Sequence, residues 1–326
     1  MPSFPHPGLV STLIPAPLST VELPPLDKTQ TPWPGEFHQV DDHEVHVRVT
    51  PGDGPPAVYV HGLGGSATNW TDLAAQLREH VSGYSLDLPG FGRSEPIPGY
   101  DFSLATHART VIKYIETLKQ PVHLFGNSMG GAISLIASAT RPDLVKTLTL
   151  VSPAVPDLRP RLDRMSDPRM ALAVMPIIGS KVRRELAKLT AHERTKQMLD
   201  LCFADPSVVP DHRIEESIKE NEERARQKWA GLALNRSTFG LMQSWLTPGP
   251  KSLWRILPLV KAPTLVLWGE NDRLVSVRKG PRTARLLPKG RLLVLPRTGH
   301  VAQMERPATV ARAVLGMWEA VDRHTW

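Results

Sequence analysis

Residues 122–131 read VHLFGNSMGG and form the most informative structural pattern in the chain. The apolar run 122–125 predicts a strand, and the Ala- and Ser-rich stretch 129–139 predicts a helix. Between them, Ser128 lies at a sharp strand-to-helix turn, with Gly126 and Gly130 two positions away on either side. Such a turn lifts the hydroxyl clear of the sheet and places the positive end of the new helix beside it. The pattern predicts a nucleophilic serine, and the alternative interpretation is a small-residue turn that allows tight helix–sheet packing.

The rest of the chain alternates strands with helices on both sides of this turn. Apolar or β-branched runs predict strands at 45–49, 57–60, 84–88, 148–151, 264–268 and 291–295. Periodic apolar positions predict helices at 68–80, 103–118, 183–201, 214–232, 277–287 and 307–321. Such alternation implies right-handed crossovers and a mostly parallel central sheet with helices on both faces, which is an α/β fold.

Residues 155–250 interrupt the alternation, because they contain helices but no convincing strand. We therefore expect an α/β core formed by residues 36–154 and 251–326, into which residues 155–250 are inserted as a helical cap. Residues 1–35 are rich in proline, which removes a hydrogen-bond donor and restricts the preceding residue. This segment is expected to form an extended N-terminal arm, lying on the surface or loose.

The composition excludes several classes of protein. A chain of 326 residues can bury about three quarters of its unfolded surface, so a sizeable core is expected. The single cysteine, Cys202, excludes a disulfide framework and a Cys-rich zinc site and suits a reducing compartment. No apolar run of about 18 residues predicts a membrane span, and the start lacks the basic segment of a signal peptide. A cytoplasmic location is therefore expected.

The charge is modest overall but unevenly spread. Lys and Arg number 39 and Asp and Glu 32, a formal net charge of +7, which does not indicate a nucleic-acid partner. Residues 1–154 carry a net charge of −5, residues 155–250 carry +3 and residues 251–326 carry +9. This asymmetry favours an anionic substrate or a peripheral contact with an anionic membrane surface, and solvated helix faces are the simpler alternative. Nothing in the pattern predicts the oligomeric state.

Five motifs, in this order along the chain, resemble the α/β-hydrolase superfamily over about residues 40–323. They are His61-Gly62-Leu63-Gly64-Gly65, Asp87-Leu88-Pro89-Gly90-Phe91-Gly92-Arg93-Ser94, the turn at Ser128, Gly269-Glu270-Asn271-Asp272-Arg273 and Thr298-Gly299-His300. The resemblance implies an esterase- or lipase-like serine hydrolase with a helical cap, which needs no cofactor and no metal.

In this family the catalytic order is nucleophile, acid and histidine, which matches Ser128, Asp272 and His300. All three follow predicted parallel strands, whose carboxyl ends meet at one edge of the sheet. The resemblance implies that His300 accepts the Ser128 proton and later protonates the leaving group, and that Asp272 orients His300. Glu270 and Asp157 remain alternative acids.

The same resemblance assigns the oxyanion hole to the backbone N–H groups of Leu63 and Met129. Glycines around Leu63 let this loop approach a substrate closely. A phosphate-binding loop is disfavoured because neither G-x-G-x-x-G nor G-K-[ST] is present. His61 is expected to brace the loop, and Asp87 to belong to a turn that sets its shape.

The leading functional prediction is hydrolysis of a small-molecule carboxylic ester, with an apolar or lipid-like acyl group indicated by the insertion. Its most apolar piece is Met170–Ile178. Candidate pocket walls are Trp229, Phe239, Met242 and Trp245, and the simpler interpretation of these apolar residues is ordinary cap core.

Two alternatives remain open. A carbon–carbon hydrolase of ring-cleavage products, which are vinylogous diketones, is similar at the serine turn and at Ala302-Gln303 but usually has Pro at Gly65 and Trp at Val301. Epoxide hydrolases and haloalkane dehalogenases are disfavoured because they use Asp in place of Ser128. The second alternative, a non-enzymatic binding protein on this scaffold, is disfavoured by the complete Ser, Asp and His set.

Overall fold

A computed structural model describes residues 14–27, 29–157, 185 and 188–326, and elements are numbered over this part of the chain. Here the strands are β1 (Gly35–Val40), β2 (His43–Thr50), β3 (Pro56–Val60), β4 (Ser82–Leu86), β5 (Val122–Asn127), β6 (Val145–Val151), β7 (Thr264–Gly269) and β8 (Gly290–Leu295). They form one sheet in the order β1-β2-β4-β3-β5-β6-β7-β8. β2 is antiparallel to both of its neighbours, and all neighbours from β4 to β8 are parallel.

The helices cover both faces of this sheet. They are α1 (Thr71–Leu77), α2 (Leu104–Thr117), α3 (Met129–Thr140), α4 (Ala191–Cys202), α5 (Asp211–Arg226), α6 (Ala230–Leu246), α7 (Leu253–Ile256), α8 (Gly280–Leu286), α9 (Ala302–Glu305) and α10 (Pro307–Asp322). One apolar layer joins the sheet to α2 and α3, and the other joins it to α1 and α10. The α/β fold expected from the sequence is confirmed.

The central strands explain why the sequence reads as short apolar runs. β3 and β7 are buried along their whole length, because helices cover both faces of a parallel sheet. Side chains alternate between the layers: Val58 and Val60 pack in the layer with α2 and α3, whereas Tyr59 packs in the layer with α1 and α10.

Some expected elements are wrong in position or number. β1 was not predicted; most of its residues are exposed, so the strand lacks an apolar pattern. β4 begins two residues earlier than expected and ends before Asp87. The single helix expected over residues 214–232 is two helices, α5 and α6. The break lies at Gln227, which has an extended backbone and donates its amide to Gly92 O at 2.6 Å.

The described part of the N-terminal arm, residues 14–27 and 29–34, lies along the core. Ser19 N donates to Arg312 O at 2.9 Å, Gln76 Nε2 donates to Pro24 O at 2.6 Å, and Trp33 Nε1 donates to Thr71 O at 3.1 Å. These bonds hold an extended segment, which also forms an isolated parallel bridge between Pro15 and Leu292.

The chain between β6 and β7, called the insertion below, contributes α4, α5 and α6. Thr190 caps α4 and Glu193 bonds back to it, so this helix begins later than the sequence suggested. The apolar piece Met170–Ile178 lies outside the described residues. In the part of the chain that the structure describes, no helix is long and apolar enough to cross a bilayer.

Candidate active site

Ser128 lies at the turn between β5 and α3 with φ 53° and ψ −118°. A positive φ is strained for any residue other than glycine, so it persists only where the surroundings fix it. Three backbone hydrogen bonds do so here: Ser128 N donates to Val151 O at 3.0 Å, and Ser128 O accepts from Ala132 N at 3.1 Å and Ala154 N at 2.9 Å. The turn presents the hydroxyl at the carboxyl edge of the sheet.

The two glycines of this turn are required by packing. A Cβ atom at Gly126 would lie under 3.0 Å from Gly130 O, and one at Gly130 would lie under 3.0 Å from Val60 O. Backbone oxygens cannot move aside as a flexible side chain can. Gly126 and Gly130 therefore meet the steric demand of the sharp turn, and tight helix–sheet packing occurs together with the raised serine.

His300 and Asp272 form a buried pair at the same edge. His300 Nδ1 lies 2.9 Å from Asp272 Oδ2, and the other carboxylate oxygen accepts from Leu274 N at 2.8 Å and Val275 N at 3.0 Å. Asp272 follows β7 and His300 follows β8. The pairing holds the imidazole through Nδ1 and leaves Nε2 as its free ring nitrogen.

Asn127 connects this pair to the serine turn. Its Nδ2 atom donates to Val151 O and to His300 O, both at 3.1 Å, so the residue before Ser128 holds the backbone of the histidine. The sequence pattern assigned no role to Asn127. The signal for its role is a polar amide at the end of an otherwise apolar strand, where a buried amide needs partners.

The alternative acids lie elsewhere. Asp157 Oδ1 is 3.4 Å from Lys279 Nζ, and its Oδ2 accepts from Ser276 N at 3.2 Å. Glu270 is exposed at the end of β7. Among the described residues, the carboxylate that contacts the His300 ring is that of Asp272.

The loop after β3 approaches Ser128 closely. A Cβ atom at Gly62 would lie 3.2 Å from Ser128 Cβ, so Leu63 directly follows the point of nearest approach. Gly65 N donates to Gly62 O at 3.0 Å, and Gly64 has φ +72°, which closes the turn. On the other side of Ser128, Met129 is the first residue of α3, whose free N–H groups point out of the helix.

His61 and Asp87 hold this loop in place. His61 Nδ1 donates to Gly62 O at 2.7 Å, and Leu88 N donates to His61 Nε2 at 3.0 Å. Burial lowers the pKa of His61, so its ring stays neutral in this arrangement. Asp87 accepts from Ala67 N at 2.7 Å and from the His46 ring at 2.8 Å. These contacts confirm the bracing and shape-setting roles predicted for the two residues.

A family model described as alpha/beta hydrolase fold matches residues 55–307. The chain belongs to the α/β-hydrolase fold family. It is 29% identical over 275 residues to a 2-hydroxy-6-oxononadienedioate/2-hydroxy-6-oxononatrienedioate hydrolase of Comamonas testosteroni, covering 81% of this chain and 87% of that protein. It is 24% identical over 282 residues to a monoacylglycerol lipase of Rattus norvegicus, covering 84% of this chain and 78% of that protein.

Solved structures agree with this membership. A membrane phospholipase A, a bacterial virulence factor, matches with a TM-score of 0.72 at 25% identity, covering 89% of this chain and 87% of that chain. The chain is therefore a hydrolase of this fold, and its relatives include enzymes named for different substrates, a dienedioate and a monoacylglycerol.

Glu305 is a structural support of this hydrolase that the sequence reasoning missed. Its carboxylate accepts from Gly299 N at 2.6 Å, Ala204 N at 3.1 Å and Asp205 N at 3.2 Å. His300 N in turn donates to Cys202 O at 2.7 Å. The carboxylate thus joins the loop before His300 to the end of α4. The signal was an acid inside the short apolar helix that follows the histidine.

The insertion also lies against the loop around Leu63. Ser66 Oγ donates to Glu220 Oε1 of α5 at 3.1 Å, and burial raises the pKa of this carboxyl group. Leu234 Cδ1 of α6 would lie 3.7 Å from a Cβ atom at Gly64. Helices α5 and α6 therefore bound the approach to Ser128 from this side.

Two of the predicted pocket walls are wrong. Phe239 and Met242 are 69% and 57% exposed, so they do not line an enclosed site. Periodicity placed them together on one helix face, but it did not show whether that face is buried. Trp245 points inward instead, where its Nε1 donates to Ala154 O at 2.9 Å, and Trp229 is partly buried. In the described part of the chain, no group of three or more His, Cys, Asp or Glu residues could hold a metal ion.

Proposed function

We propose that this hydrolase cleaves carboxylic esters with apolar acyl groups through an acyl-enzyme on Ser128. The observation that carries the proposal is the juxtaposition at the sheet edge. A strained serine begins a helix, and the buried pair of His300 and Asp272 is tied to it through Asn127. Cys202 is not a competing nucleophile, because burial raises the pKa of its thiol to about 12.

In the first half of the reaction, His300 Nε2 accepts the Ser128 hydroxyl proton as Oγ forms a bond to the ester carbonyl carbon. The carbonyl electron pair moves onto oxygen, where the N–H groups of Leu63 and Met129 stabilise the charge. When that pair returns, the bond to the alcohol oxygen breaks, and His300 gives its proton to the departing alkoxide. Asp272 keeps the imidazole oriented and stabilises its charged form.

In the second half, a water molecule gives a proton to His300 Nε2 and attacks the acyl carbon. The second oxyanion collapses and breaks the bond to Ser128 Oγ, which recovers the proton from His300. The carboxylic acid leaves and the enzyme returns to its starting state. Every proton in this cycle moves through one ring nitrogen, so the Nδ1 contact with Asp272 can persist throughout.

The preference for an apolar acyl group is supported by the side chains around the serine. Met129 is buried beneath the turn, and Leu63 and Leu234 lie on the side of the insertion. Val301, next to His300, packs with Phe203 of the insertion. The similarity to a monoacylglycerol lipase and to a phospholipase A points in the same direction.

Cleavage of a carbon–carbon bond is the second candidate, favoured by the similarity to the Comamonas testosteroni hydrolase. Two positions argue for the ester. Gly65 N donates to Gly62 O at 3.0 Å. Ring-cleavage hydrolases usually have a proline at this position, and proline has no backbone N–H to make this bond. Val301 stands where their tryptophan would add a large ring beside His300.

The test is a turnover screen of p-nitrophenyl esters of increasing acyl length, run beside a vinylogous diketone ring-cleavage product. We expect kcat/KM to rise with acyl length through medium chains and the diketone to be a poor substrate. Faster cleavage of the diketone than of every ester would replace the ester proposal with the second candidate.

A serine-directed fluorophosphonate probe separates enzymes from a binding protein on the same scaffold. The wild-type protein should be labelled, and Ser128→Ala should not. An unlabelled wild-type protein that turns over neither substrate class would favour the binding protein. Ser138→Ala is a matched control, because it removes a buried hydroxyl from the same helix without touching the turn.

A further inference from the structure

Helix α6 presents its large apolar side chains to solvent. Leu232, Phe239 and Leu246 repeat every seven residues, close to two helical turns, and are 51%, 69% and 68% exposed. Met242, three residues after Phe239, is 57% exposed on the same side. Arg236 lies between Leu232 and Phe239 and is also exposed. These five residues are called the outer face of α6 below.

The opposite side of α6 packs on the core through small residues. Ala233 and Ser237 are fully buried, and a Cβ atom at Gly240 would lie 3.2 Å from Phe102 O. Ser237 Oγ lies 3.4 Å from Nε2 of the buried His107. Leu241 and Trp245 also pack on the core, but the other large apolar side chains of α6 are exposed, unlike in the usual amphipathic helix of a globular protein. The outer face is therefore not needed to attach α6 to the core.

The segment of sequence that contains the outer face carries charge of one sign. The 46 residues from Arg224 to Gly269 contain seven Lys and Arg residues and no Asp or Glu. Six members of this set are exposed: Arg226 and Lys228 just before α6, Arg236 on the outer face, and Lys251, Arg255 and Lys261 just after it. None of these six forms an ion pair within the residues that the structure describes. Leu259, between the last two, is 57% exposed.

We propose that the outer face of α6 docks on the surface of an anionic lipid bilayer. Apolar side chains on one helix face enter the boundary between headgroups and acyl chains, and unpaired cations beside them attract anionic headgroups. A protein partner would need acidic groups in positions that match these cations. An anionic bilayer offers negative charge and an apolar interior everywhere on its surface, so it needs no such match. Residues 1–154, by contrast, carry a net charge of −5, so an anionic surface attracts this basic, acid-free segment more strongly than the N-terminal part of the core.

Docking here would bring the site close to a lipid source. Leu234, two residues from Leu232, lies near the loop at Gly64, since its Cδ1 would be 3.7 Å from a Cβ atom there, and the same loop approaches Ser128 at Gly62. One helix therefore connects the exposed apolar face with the approach to the serine. The inference does not depend on which bond is cleaved, because attachment to a bilayer requires no turnover.

The test is sedimentation with vesicles of equal parts phosphatidylglycerol and phosphatidylcholine, using the full chain. The double variant Phe239→Ser/Leu246→Ser should lower the apparent vesicle affinity at least about tenfold, since two apolar side chains no longer enter the interface. Phe37→Ser is the matched control, because Phe37 is 56% exposed on β1 and lies outside the proposed face. Circular dichroism and Tm confirm that each variant is folded.

A second pair of variants tests the charge. Arg236→Gln/Lys251→Gln should weaken binding to the anionic vesicles about tenfold, and raising the salt from about 0.1 M to about 0.5 M should do the same. Lys119→Gln/Lys146→Gln, two exposed lysines of the acidic N-terminal region, is the matched control. Vesicles of phosphatidylcholine alone should bind the wild-type protein weakly and show little response to either pair.

Three results would overturn the proposal. Wild-type protein that stays in the supernatant with the anionic vesicles at about 0.1 M salt would remove its basis. Binding that survives both α6 pairs would place the contact elsewhere. A concentration-dependent dimer in light scattering that Phe239→Ser/Leu246→Ser dissociates, without vesicle binding, would assign the face to a second copy of the chain. Ser128→Ala should bind vesicles like the wild type, so a failure of the proposed chemistry is distinguishable.

Discussion

Helices α3 and α6 use small residues in the same way but treat their large residues in opposite ways. Helix α3 buries nine of its twelve residues, including Met129, Ile133 and Leu135, and its glycines allow backbone contact with β3. Helix α6 buries two of its seventeen residues, Ala233 and Ser237, and turns most of its large apolar side chains outward, whereas Leu241 and Trp245 pack on the core. Close packing by small residues thus occurs both in a helix that fixes the backbone around Ser128 and in a helix that leaves one face exposed.

The difference in packing indicates that α3 serves the site at Ser128, whereas the exposed side of α6 is free for contact with other surfaces. Around α3, backbone bonds and glycine contacts fix Ser128 from several directions, so changes there should affect turnover or folding. Around α6, the seam to the core carries the attachment, and the outer face carries little of the fold's stability. Variants that alter one region and leave the other unaffected test whether the two are as independent as their packing indicates.

The largest effect is expected at the serine. Ser128→Ala should lower kcat for p-nitrophenyl esters by about 10⁴-fold or more, because no other group replaces the nucleophile. Only one oxygen atom is lost and the backbone bonds remain, so the Tm should stay near that of the wild type. Residual turnover within tenfold of the wild type would show that another residue forms the covalent intermediate.

The next effect compares two buried aspartates. Asp272→Asn should lower kcat by about 10³–10⁴-fold, because the amide no longer supports the His300 tautomer that accepts the serine proton. Asp157→Asn should instead lower the free energy of unfolding, since Asp157 pairs with Lys279, and leave kcat within a few-fold of the wild type. The reverse pattern in steady-state kinetics would identify Asp157 as the acid.

A smaller effect is expected where the core meets the insertion. Glu305→Gln leaves one acceptor oxygen for the N–H groups of Gly299, Ala204 and Asp205, so at least one of them loses its partner at a cost of about 1–3 kcal/mol. We expect kcat to fall about tenfold through a looser His300 loop, with KM less affected. Glu319→Gln on α10 is a control carboxylate away from the insertion. Equal effects of both variants on kcat would contradict a positioning role for Glu305.

What the sequence predicted well was locally determined. The strand, turn and helix around Ser128 follow from an apolar run, two glycines and a helix-forming stretch within ten residues. The positions of Asp272 and His300 at the same edge follow from their places after parallel strands. Their contact at 2.9 Å needed the register of β7 and β8, which no local pattern specifies.

What the sequence missed depends on contacts between distant segments. β1 lacks an apolar alternation and exists because it pairs with β2. The break between α5 and α6 occurs where Gln227 bonds to Gly92, far away along the chain. Glu305 acts on residues about one hundred positions before it. Phe239 was expected to line a pocket because periodicity groups residues onto a face without showing which face is covered.

The smallest expected effect concerns the seam between α2 and α6, where His107 contacts the Tyr100 hydroxyl at 3.0 Å and Ser237 Oγ at 3.4 Å. Burial lowers the pKa of His107 to about 3, so the folded protein keeps this ring neutral while the unfolded chain takes up a proton below pH ~6.5. The unfolded state then binds more protons, so this contribution to stability is present at neutral pH and is lost as the pH falls from about 6.5 toward 3. Glutamine cannot take up that proton, so acidification does not cost His107→Gln this contribution as it does the wild type. The difference in Tm between the wild type and this variant should therefore decrease by about 4 °C between pH 7 and pH 4.5.

His123 separates the seam from the rest of the core in this experiment. Burial lowers its pKa to about 3 as well, but it lies in β5 against Thr147 and Trp318, away from α6. The difference in Tm between the wild type and His123→Gln should therefore also decrease over the same pH range. Amide-exchange protection of α6 should still fall on acidification in that variant, as in the wild type, and should fall less in His107→Gln. If α6 loses the same protection in both variants, protonation of His107 does not control the seam, and the other contacts of α6 with the core, at Ala233, Gly240 and Trp245, hold it in place.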